Sequence, residues 1–436
     1  MTARRFTLPI HVISLGCPKN FVDTELLLGG LPGKPRLVAR PEDAAVVLVN
    51  TCGFIRPAVE ESLSEILTVA AAIRGRTPKP LLAVAGCLVS RYGEDLKAGL
   101  PEVDLWLSTH ELPDWPGKIA RALKRPTGQE PSRIFSTAPS FAYLKISEGC
   151  RHACRFCTIP SIRGRLKSRP IPALVCEARN ILATGRKEII LVAQDLTAYG
   201  RDLGSGVNLQ PLLEALLPLS GLERLRLLYL YPAGLTLRLL DFLKAAGPPF
   251  VPYFDIPLQH SHPDVLKSMG RPFAKDPRRA VDLVRSRFPD AAIRTSLITG
   301  YPGETRTHFK HLLNFVREAR FAHLGVFAFQ AESGTPAAKL EGQVSMKTRA
   351  SRREEIMAAQ SKISGQWLSS FVGRDLDILV DALHPEWPGL FVGRAWFQAP
   401  EIDGVTYVSG PGAASGAMVT AHIEEAKTYD LVALAG

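Results

Sequence analysis

The sequence of 436 residues has few cysteines and no long apolar run, and both shortages exclude classes of protein. Nowhere do about eighteen apolar residues follow one another, as a membrane-spanning helix requires, so no membrane partner is expected. The cysteines number seven, an odd count that does not suit a secreted disulfide framework. We therefore expect a cytoplasmic protein whose thiols serve metal binding or catalysis.

The N-terminal segment ARRFTLPIHVISLGC is ambiguous, because two arginines, an apolar run and Cys17 imitate a secretion or lipoprotein signal. Pro9 and His11 interrupt the run, however, and CPKN is a poor processing site. We prefer to interpret this segment as a first β-strand that ends at Cys17.

Charge is distributed unevenly along a chain whose length predicts two or three domains. The net charge is +11, but the residues from Val372 onward include nine acidic and three basic side chains, a net of −6. The overall positive charge permits a nucleic-acid partner, whereas the C-terminal part should repel phosphate.

Three apolar runs in the first hundred residues, IHVISLGC, AAVVLVNTC and LLAVAGC, alternate with helical segments and predict a parallel α/β domain. Each run ends on a cysteine: Cys17, Cys52 or Cys87. Ligands bind at the carboxyl ends of strands in such sheets, so three thiols at one edge favour a shared ligand. The alternative is that all three are ordinary buried cysteines.

A second series of six strand-like runs begins near Tyr143 and predicts a partial (β/α)6 barrel. After it, short alternating runs separated by glycine and proline predict a small antiparallel β-barrel. We expect domains at residues 1–130, 137–368 and 370–436.

The segment SEGCRHACRFCTIPSIRGR carries Cys150, Cys154 and Cys157 in the spacing C-x3-C-x2-C. A helical stripe of core cysteines is one alternative, although Gly149 and Pro160 favour a loop. A closed structural zinc site is another, but zinc needs four ligands and no fourth lies nearby. An iron–sulfur cube held by three thiolates fits better, with one iron left open.

The CRHACRFC segment resembles the signature of radical S-adenosylmethionine enzymes, with Phe156 as its aromatic residue. The resemblance implies that the open iron of a [4Fe–4S] cluster binds S-adenosylmethionine, which is cleaved reductively to a radical that abstracts hydrogen. SLITGYPGE resembles a later strand motif of the same family and implies that Ile298, Gly300 and Glu304 lie near the cofactor.

The whole chain is similar to the radical methylthiotransferases, which combine an α/β domain, a radical barrel and a small β domain. This implies a second [4Fe–4S] cluster on Cys17, Cys52 and Cys87 that takes part in sulfur delivery, and an electron-donating partner protein. Gln194 and Gln259, at predicted strand ends, are candidate cofactor-binding residues, although a structural role fits each equally well. Cys176, in a predicted helix, is interpreted as ordinary packing.

Two branches of that family differ in substrate: an adenosine of tRNA, or the β-carbon of an aspartate in small-subunit ribosomal protein twelve. CTIPSIRGRLKSRP resembles the ribosomal-protein branch. The C-terminal acids favour it too, because they would attract a basic protein; they include Asp375, Asp377, Asp381, Glu424 and Glu425. A nucleic-acid-binding protein with structural clusters and a zinc enzyme remain alternatives.

Overall fold

The computed structural model describes residues 6–126, 133–204, 206–273 and 275–436, and the chain divides into two compact units. The first unit comprises Met1–Ser136, Glu148–His152 and Cys157–Arg165. The second comprises Thr137–Ser147, Ala153–Phe156 and Leu166–Gly436. The predicted domain end at residue 130 lies outside the described residues, and the three predicted domain ranges stay a prediction.

A five-stranded parallel sheet forms the centre of the first unit. Its strands are β1 (Thr7–Ser14), β2 (Lys34–Leu37), β3 (Val46–Thr51), β4 (Leu81–Gly86) and β5 (Leu105–Ser108), in the spatial order β2-β1-β3-β4-β5. Every residue of β3 is buried, which explains its uninterrupted apolar sequence. The runs that end at cysteines predicted β1, β3 and β4, whereas the short strands β2 and β5 gave no comparable signal.

Helices cover both faces of this sheet and bury two apolar clusters. They are α1 (Pro18–Gly30), α2 (Arg56–Ile73), α3 (Cys87–Gly99) and α4 (Trp115–Ala122), and α5 (Ile159–Arg163) belongs to the same unit. On one face Ile66 and Val69 of α2 pack with Val49, and on the other Leu28 and Trp115 pack with strand residues. Burial of this apolar surface holds the sheet and its helices together.

The second unit begins with a six-stranded parallel sheet. In chain order its six strands are β6 (Phe141–Lys145), β9 (Glu188–Val192), β10 (Arg224–Leu227), β11 (Phe250–Asp255), β12 (Ala292–Thr299) and β13 (His323–Ala328). The short strands β7 (Ser147–Glu148) and β8 (Lys167–Ser168) form a separate two-stranded sheet. The six-stranded sheet has the order β6-β9-β10-β11-β12-β13, so every long strand neighbours the next one in sequence. This is the predicted partial barrel.

Seven helices accompany this second sheet within the described residues. They are α6 (Ile171–Leu182), α7 (Leu209–Leu216), α8 (Leu237–Ala246), α9 (Pro263–Ser268), α10 (Arg279–Arg287), α11 (Arg306–Ala319) and α12 (Met346–Ser369). None of the helices in the described part of the chain is long and apolar enough to cross a membrane.

The C-terminal residues form a closed five-stranded barrel. Its strands are β14 (Asp375–Leu383), β15 (Phe391–Arg394), β16 (Thr406–Ser409), β17 (Met418–Ala426) and β18 (Leu431–Ala435), paired in the order β14-β15-β16-β18-β17. The predicted small β-barrel is confirmed, with one difference. β16 and β18 run parallel, because the chain reaches β18 by way of β17 rather than by a direct hairpin.

Buried ion pairs join this barrel to the six-stranded sheet. The Arg394 guanidinium binds Glu188 of β9 at 2.6 Å and Asp381 of β14 at 2.7 Å. Burial alone would raise the pKa of Glu188, but Arg226, Arg394 and another nearby arginine outweigh it and lower the pKa to about 2. Asp381 therefore belongs to this internal network and does not contribute to an exposed acidic surface, contrary to the expectation from charge alone.

Candidate functional site

Three thiols meet at the carboxyl edge of the five-stranded sheet. Cys17 caps the N-terminus of α1, Cys52 directly follows β3, and Cys87 is the first residue of α3. The strands that precede them, β1, β3 and β4, are neighbours in the sheet. The sequence therefore predicted the juxtaposition correctly, because carboxyl ends of adjacent parallel strands lie at one edge.

The thiols interact electrostatically with one another, and none is in a disulfide. Burial raises the pKa of Cys52 to about 12, and the neighbouring thiols of Cys17 and Cys87 add to the increase. Burial likewise raises the pKa of Cys87, against the opposing effect of Arg163. In the metal-free chain these two thiols are protonated at neutral pH, so a metal group must displace their protons on binding.

The backbone around Cys52 is held so that the thiols approach closely. Gly16 has φ of +96°, and a Cβ there would lie 2.9 Å from the Cβ of Cys52. The Ser62 hydroxyl accepts from the Cys52 N–H at 3.1 Å and donates to the Cys52 carbonyl at 3.0 Å. A larger residue than glycine at position 16 would push the chain segments of Cys17 and Cys52 apart.

A buried arginine that sequence reasoning did not single out touches this thiol group. Arg163 Nε lies 3.2 Å from the Cys87 Sγ, its Nη1 binds Asp23 at 2.8 Å, and its Nη2 donates to Asn20 at 2.5 Å. Nη1 also lies 3.1 Å from Glu148. The guanidinium thus brings a positive charge to a Cys87 thiolate and is itself fixed by polar partners.

The guanidinium of Arg163 stays protonated at physiological pH. Burial opposes it, but the carboxylates of Asp23 and Glu148 outweigh burial and raise the pKa well above its usual value. Arg163 ends α5, which begins two residues after Cys157. In the sequence, the segment SIRGR indicated only the family. Its neighbouring residues give no sign that Arg163 contacts Cys87, which lies 76 positions earlier in the chain.

The number of thiols suits a cluster better than a closed structural zinc site. Such a zinc site needs four ligands, and this edge of the sheet supplies three free thiols from the ends of neighbouring strands. An iron–sulfur cluster held by three thiolates leaves one iron open.

The C-x3-C-x2-C segment is an irregular loop between β7 and α5. Cys150 and Cys157 belong to the first unit and Cys154 to the second, and all three are partly buried rather than packed into a core. A loop agrees with the expectation drawn from Gly149 and Pro160, and a helical stripe of core cysteines is wrong. The ligand set itself stays a prediction.

Phe156 packs in an apolar cluster of the second unit with Ile298, the predicted cofactor neighbour in β12. The Arg271 guanidinium lies 5.6 Å from the centre of the Phe156 ring and 5.1 Å from that of Tyr231. The loop backbone is held there too, since the Arg155 N–H donates to the Met269 carbonyl at 3.1 Å. Phe156 and Ile298 therefore lie in one apolar cluster, and their predicted proximity to the cofactor stays a prediction.

The two predicted glutamines lie just beyond strand ends. Gln194 follows β9 by two residues, and Gln259 follows β11 by four. Gln259 has φ of +73°, an unusual conformation for a residue with a side chain, and its backbone pairs with β12 through Ser296 and Ile298. The backbone of Gln259 is thus fixed against β12, and the predicted cofactor-binding roles of Gln194 and Gln259 stay predictions.

Gly300 and Glu304 form the turn after β12. The Gly300 N–H donates to one Glu304 carboxylate oxygen at 2.9 Å, and Arg352 binds the other at 2.6 Å. Gly300 has φ of +71°, and a Cβ there would collide with Arg349. The carboxylate of Glu304 therefore shapes the turn, and its predicted proximity to the cofactor stays a prediction.

Cys176 lies on α6, as predicted, but its side chain is exposed. The expectation that it occupies a packing face is wrong, because the buried stripe of α6 runs through Leu174, Ala178 and Ile181. The prediction that Cys176 binds no cluster is unaffected by its exposure.

Family models match three parts of the chain. Residues 9–108 match the "Uncharacterized protein family UPF0004", residues 144–316 the Radical SAM superfamily, and residues 372–435 the TRAM domain. The predicted small β-barrel is thus TRAM-like.

Curated relatives match over the whole length. The ribosomal protein uS12 methylthiotransferase RimO of Oleidesulfovibrio alaskensis is 60% identical over 98% of this chain and 99% of its own. The protein of the same name from Lawsonia intracellularis is 53% identical over 100% of this chain and 99% of its own. The chain belongs to the RimO family. It is a radical SAM methylthiotransferase, with S-adenosylmethionine and [4Fe–4S] clusters as its cofactors, which confirms the family and cofactors predicted from the sequence.

Solved structures agree on the fold. The radical S-adenosylmethionine methyltransferase TsrM of Kitasatospora setae, solved with cobalamin and a [4Fe–4S] cluster, aligns over 91% of this chain and 82% of its own with a TM-score of 0.54 at 14% identity. The cobalamin-dependent S-adenosylmethionine radical enzyme OxsB aligns over 82% of this chain and 58% of its own, with a TM-score of 0.52 at 13% identity.

Proposed function

We propose that this enzyme methylthiolates the β-carbon of an aspartate in ribosomal protein uS12, in the cytoplasm, with electrons from a reductant protein. The observation that carries the proposal is the convergence of Cys17, Cys52 and Cys87 beside Arg163, in a chain whose full length resembles RimO proteins. These three thiols would hold one cluster, and Cys150, Cys154 and Cys157 the other.

When bound, the clusters and S-adenosylmethionine supply radical hydrogen abstraction and sulfur transfer. The chain's own residues support this in separate ways. Cys17, Cys52 and Cys87 would lose their protons on binding a cluster, and Arg163 beside Cys87 would offset the resulting negative charge. A radical route suits the aspartate β-carbon, because its hydrogen is not acidic beside a carboxylate.

An acidic face on the C-terminal barrel supports a basic protein as the substrate. The face consists of Asp375, Asp377, Glu424 and Glu425, all exposed on β14 and β17. Asp375 and Asp377 lie opposite His422 and Thr420 in the antiparallel pair, so their side chains share one side of the sheet. Negative charge on this side attracts a basic ribosomal protein and repels tRNA, which is the less favoured substrate.

The test is to incubate reconstituted enzyme, reductant, S-adenosylmethionine and a sulfur source with uS12 and, separately, with tRNA. Mass spectrometry should locate a methylthio group on one aspartate of uS12 and none on tRNA. Modified adenosine together with unmodified uS12 would overturn the proposed substrate.

Charge reversal tests the acidic face separately from the choice of substrate. The double variant Asp375→Lys with Asp377→Lys should raise the KM for uS12 at low salt and leave S-adenosylmethionine cleavage unchanged. The control is Glu354→Lys with Glu355→Lys, an equal charge change at exposed positions of α12. Equal KM values in the two double variants would show that the acidic face does not bind the substrate.

A further inference from the structure

Four of the chain's ten histidines lie in two short segments, QHSHPD and THFKH, that meet in the second unit. His262 caps α9, and His308 and His311 lie one turn apart at the start of α11. The His262 ring centre lies 4.1 Å from that of His308 and 5.1 Å from that of His311. His262 and His308 also cap their helices through Nδ1, but capping does not require that three imidazoles lie this close together.

We propose that His262, Asp264 and His308, with His311 beside them, bind a divalent transition metal ion such as Zn²⁺. One ligand atom of each of the first three residues lies within 4.8 Å of those of the other two. Two imidazoles and one carboxylate are a ligand set that zinc accepts, and the third imidazole or water completes four-fold coordination.

The protonation state of His262 suits a metal ligand. Burial lowers the pKa of His262, and the neighbouring imidazoles of His308 and His311 lower it further, while Asp264 opposes them. His262 is therefore neutral at physiological pH and has a lone pair to donate.

The hydrogen bonds of these rings compete only weakly with a metal. Nδ1 of His262 accepts from the Asp264 N–H at 3.3 Å, and Nδ1 of His308 accepts from the Thr305 N–H at 3.3 Å. Both contacts are long, so ligation through Nδ1 sacrifices little. Nδ1 of His262 also lies 3.8 Å from the Asp264 carboxylate, so these two ligand atoms are already close to each other.

Nδ1 of His311 is paired with the Ser261 hydroxyl at 2.9 Å, a contact that orients the ring and leaves its Nε2 available. The Asp264 side chain is 77% exposed and that of His262 21%, so an ion reaches the site directly from solvent. The metal would link the start of α9 to the start of α11 without using any cluster cysteine.

The experiment is equilibrium dialysis of the cluster-reconstituted enzyme against micromolar ZnCl2, followed by elemental analysis of zinc and iron. The zinc content of the wild type should exceed that of His262→Ala, His308→Ala and Asp264→Asn by one zinc ion per chain. The iron content should be equal in the wild type and the three variants. The control is His422→Ala, which removes an exposed histidine that also lies beside an aspartate, at 2.8 Å from Asp375. Its zinc content should equal that of the wild type.

Equal zinc in the wild type and the three variants would overturn the site. If a variant loses iron or unfolds, a second experiment uses the wild type alone. It measures the rate at which each histidine is carbethoxylated with and without ZnCl2, and mass spectrometry identifies the modified histidines. Zinc should slow the reaction of His262 and His308 at least tenfold and leave His422 unchanged. Unprotected His262 and His308 would equally reject the proposal.

Discussion

Replacing Arg163 by Met is the most informative single perturbation of the first unit. The side chains of Arg163 and Asp23 are 2% and 1% exposed and their charged atoms lie 2.8 Å apart, so the change removes one member of a buried ion pair. Such a loss costs about 3–5 kcal/mol. We expect the free energy of unfolding of the metal-free protein to fall by about 3 kcal/mol in urea titrations, because Glu148 is 20% exposed and can be hydrated.

Arg133→Met is a matched control for that stability change. Arg133 binds Glu25 at 2.6 Å with side-chain exposures of 6% and 0%, and Glu25 lies on α1, as Asp23 does. Both substitutions therefore break a buried arginine–carboxylate pair on the same helix, but only Arg163 touches a cysteine. Similar losses of stability are expected.

The two variants should differ in cluster properties. In a background in which Cys150, Cys154 and Cys157 are replaced by Ala, Arg163→Met should bind less iron and shift the midpoint potential of the remaining cluster to more negative values. The reason is that a reduced cluster carries an additional negative charge, which the guanidinium beside Cys87 favours. If iron content and potential in Arg163→Met equal those in Arg133→Met, Arg163 has only a structural role and the reasoning is refuted.

Three further predictions concern the cysteines and the buried ion pairs. Replacing Cys150, Cys154 and Cys157 by Ala should halve the iron content and abolish reductive cleavage of S-adenosylmethionine. Replacing Cys17, Cys52 and Cys87 by Ala should also halve the iron content, but it should preserve this cleavage and stop methylthio transfer. An unchanged iron content in either triple variant would contradict the two-cluster assignment. Cys176→Ala should change the free energy of unfolding by less than about 1 kcal/mol and leave iron unchanged, because the side chain is exposed; loss of iron would make Cys176 a ligand. The ion pairs of Glu188 lower its pKa from 4.5 to about 2 and so contribute about 3 kcal/mol to the free energy of unfolding. This contribution is complete above pH 4.5 and is lost as the pH falls toward 2. The stability of Glu188→Gln, measured over the same acid range, should lack this pH dependence, and an unchanged pH dependence would refute the prediction.

The local sequence was sufficient for the strands that carry the cysteines. β3 and β4 are short, apolar and buried. Their sequences therefore predict both the parallel sheet and the position of Cys52 and Cys87 at its carboxyl edge. The small barrel was recognisable from its alternating pattern for the same reason, since periodicity reflects which side of a strand is buried. Short, half-exposed strands such as β2 lack that pattern and were missed.

Charge was the property that the sequence described least well. Asp377 and Asp381 lie four residues apart on β14, yet Asp377 is exposed and Asp381 is in a buried network with Arg394. A count of acidic residues assigns both to the surface. Only packing against the six-stranded sheet distinguishes a carboxylate that is available to a partner from one that joins the C-terminal barrel to that sheet.

The sequence by itself determined the family, the cofactors and the six cysteines proposed as cluster ligands, because these depend on short motifs and on strand ends that local patterns reveal. Tertiary structure alone decided that Arg163 reaches Cys87 and that His262 stacks on His308. The physical reason is that periodicity reports how deeply a residue is buried but not which distant side chain it meets. That pairing is fixed only when helices and loops from separate parts of the chain pack together.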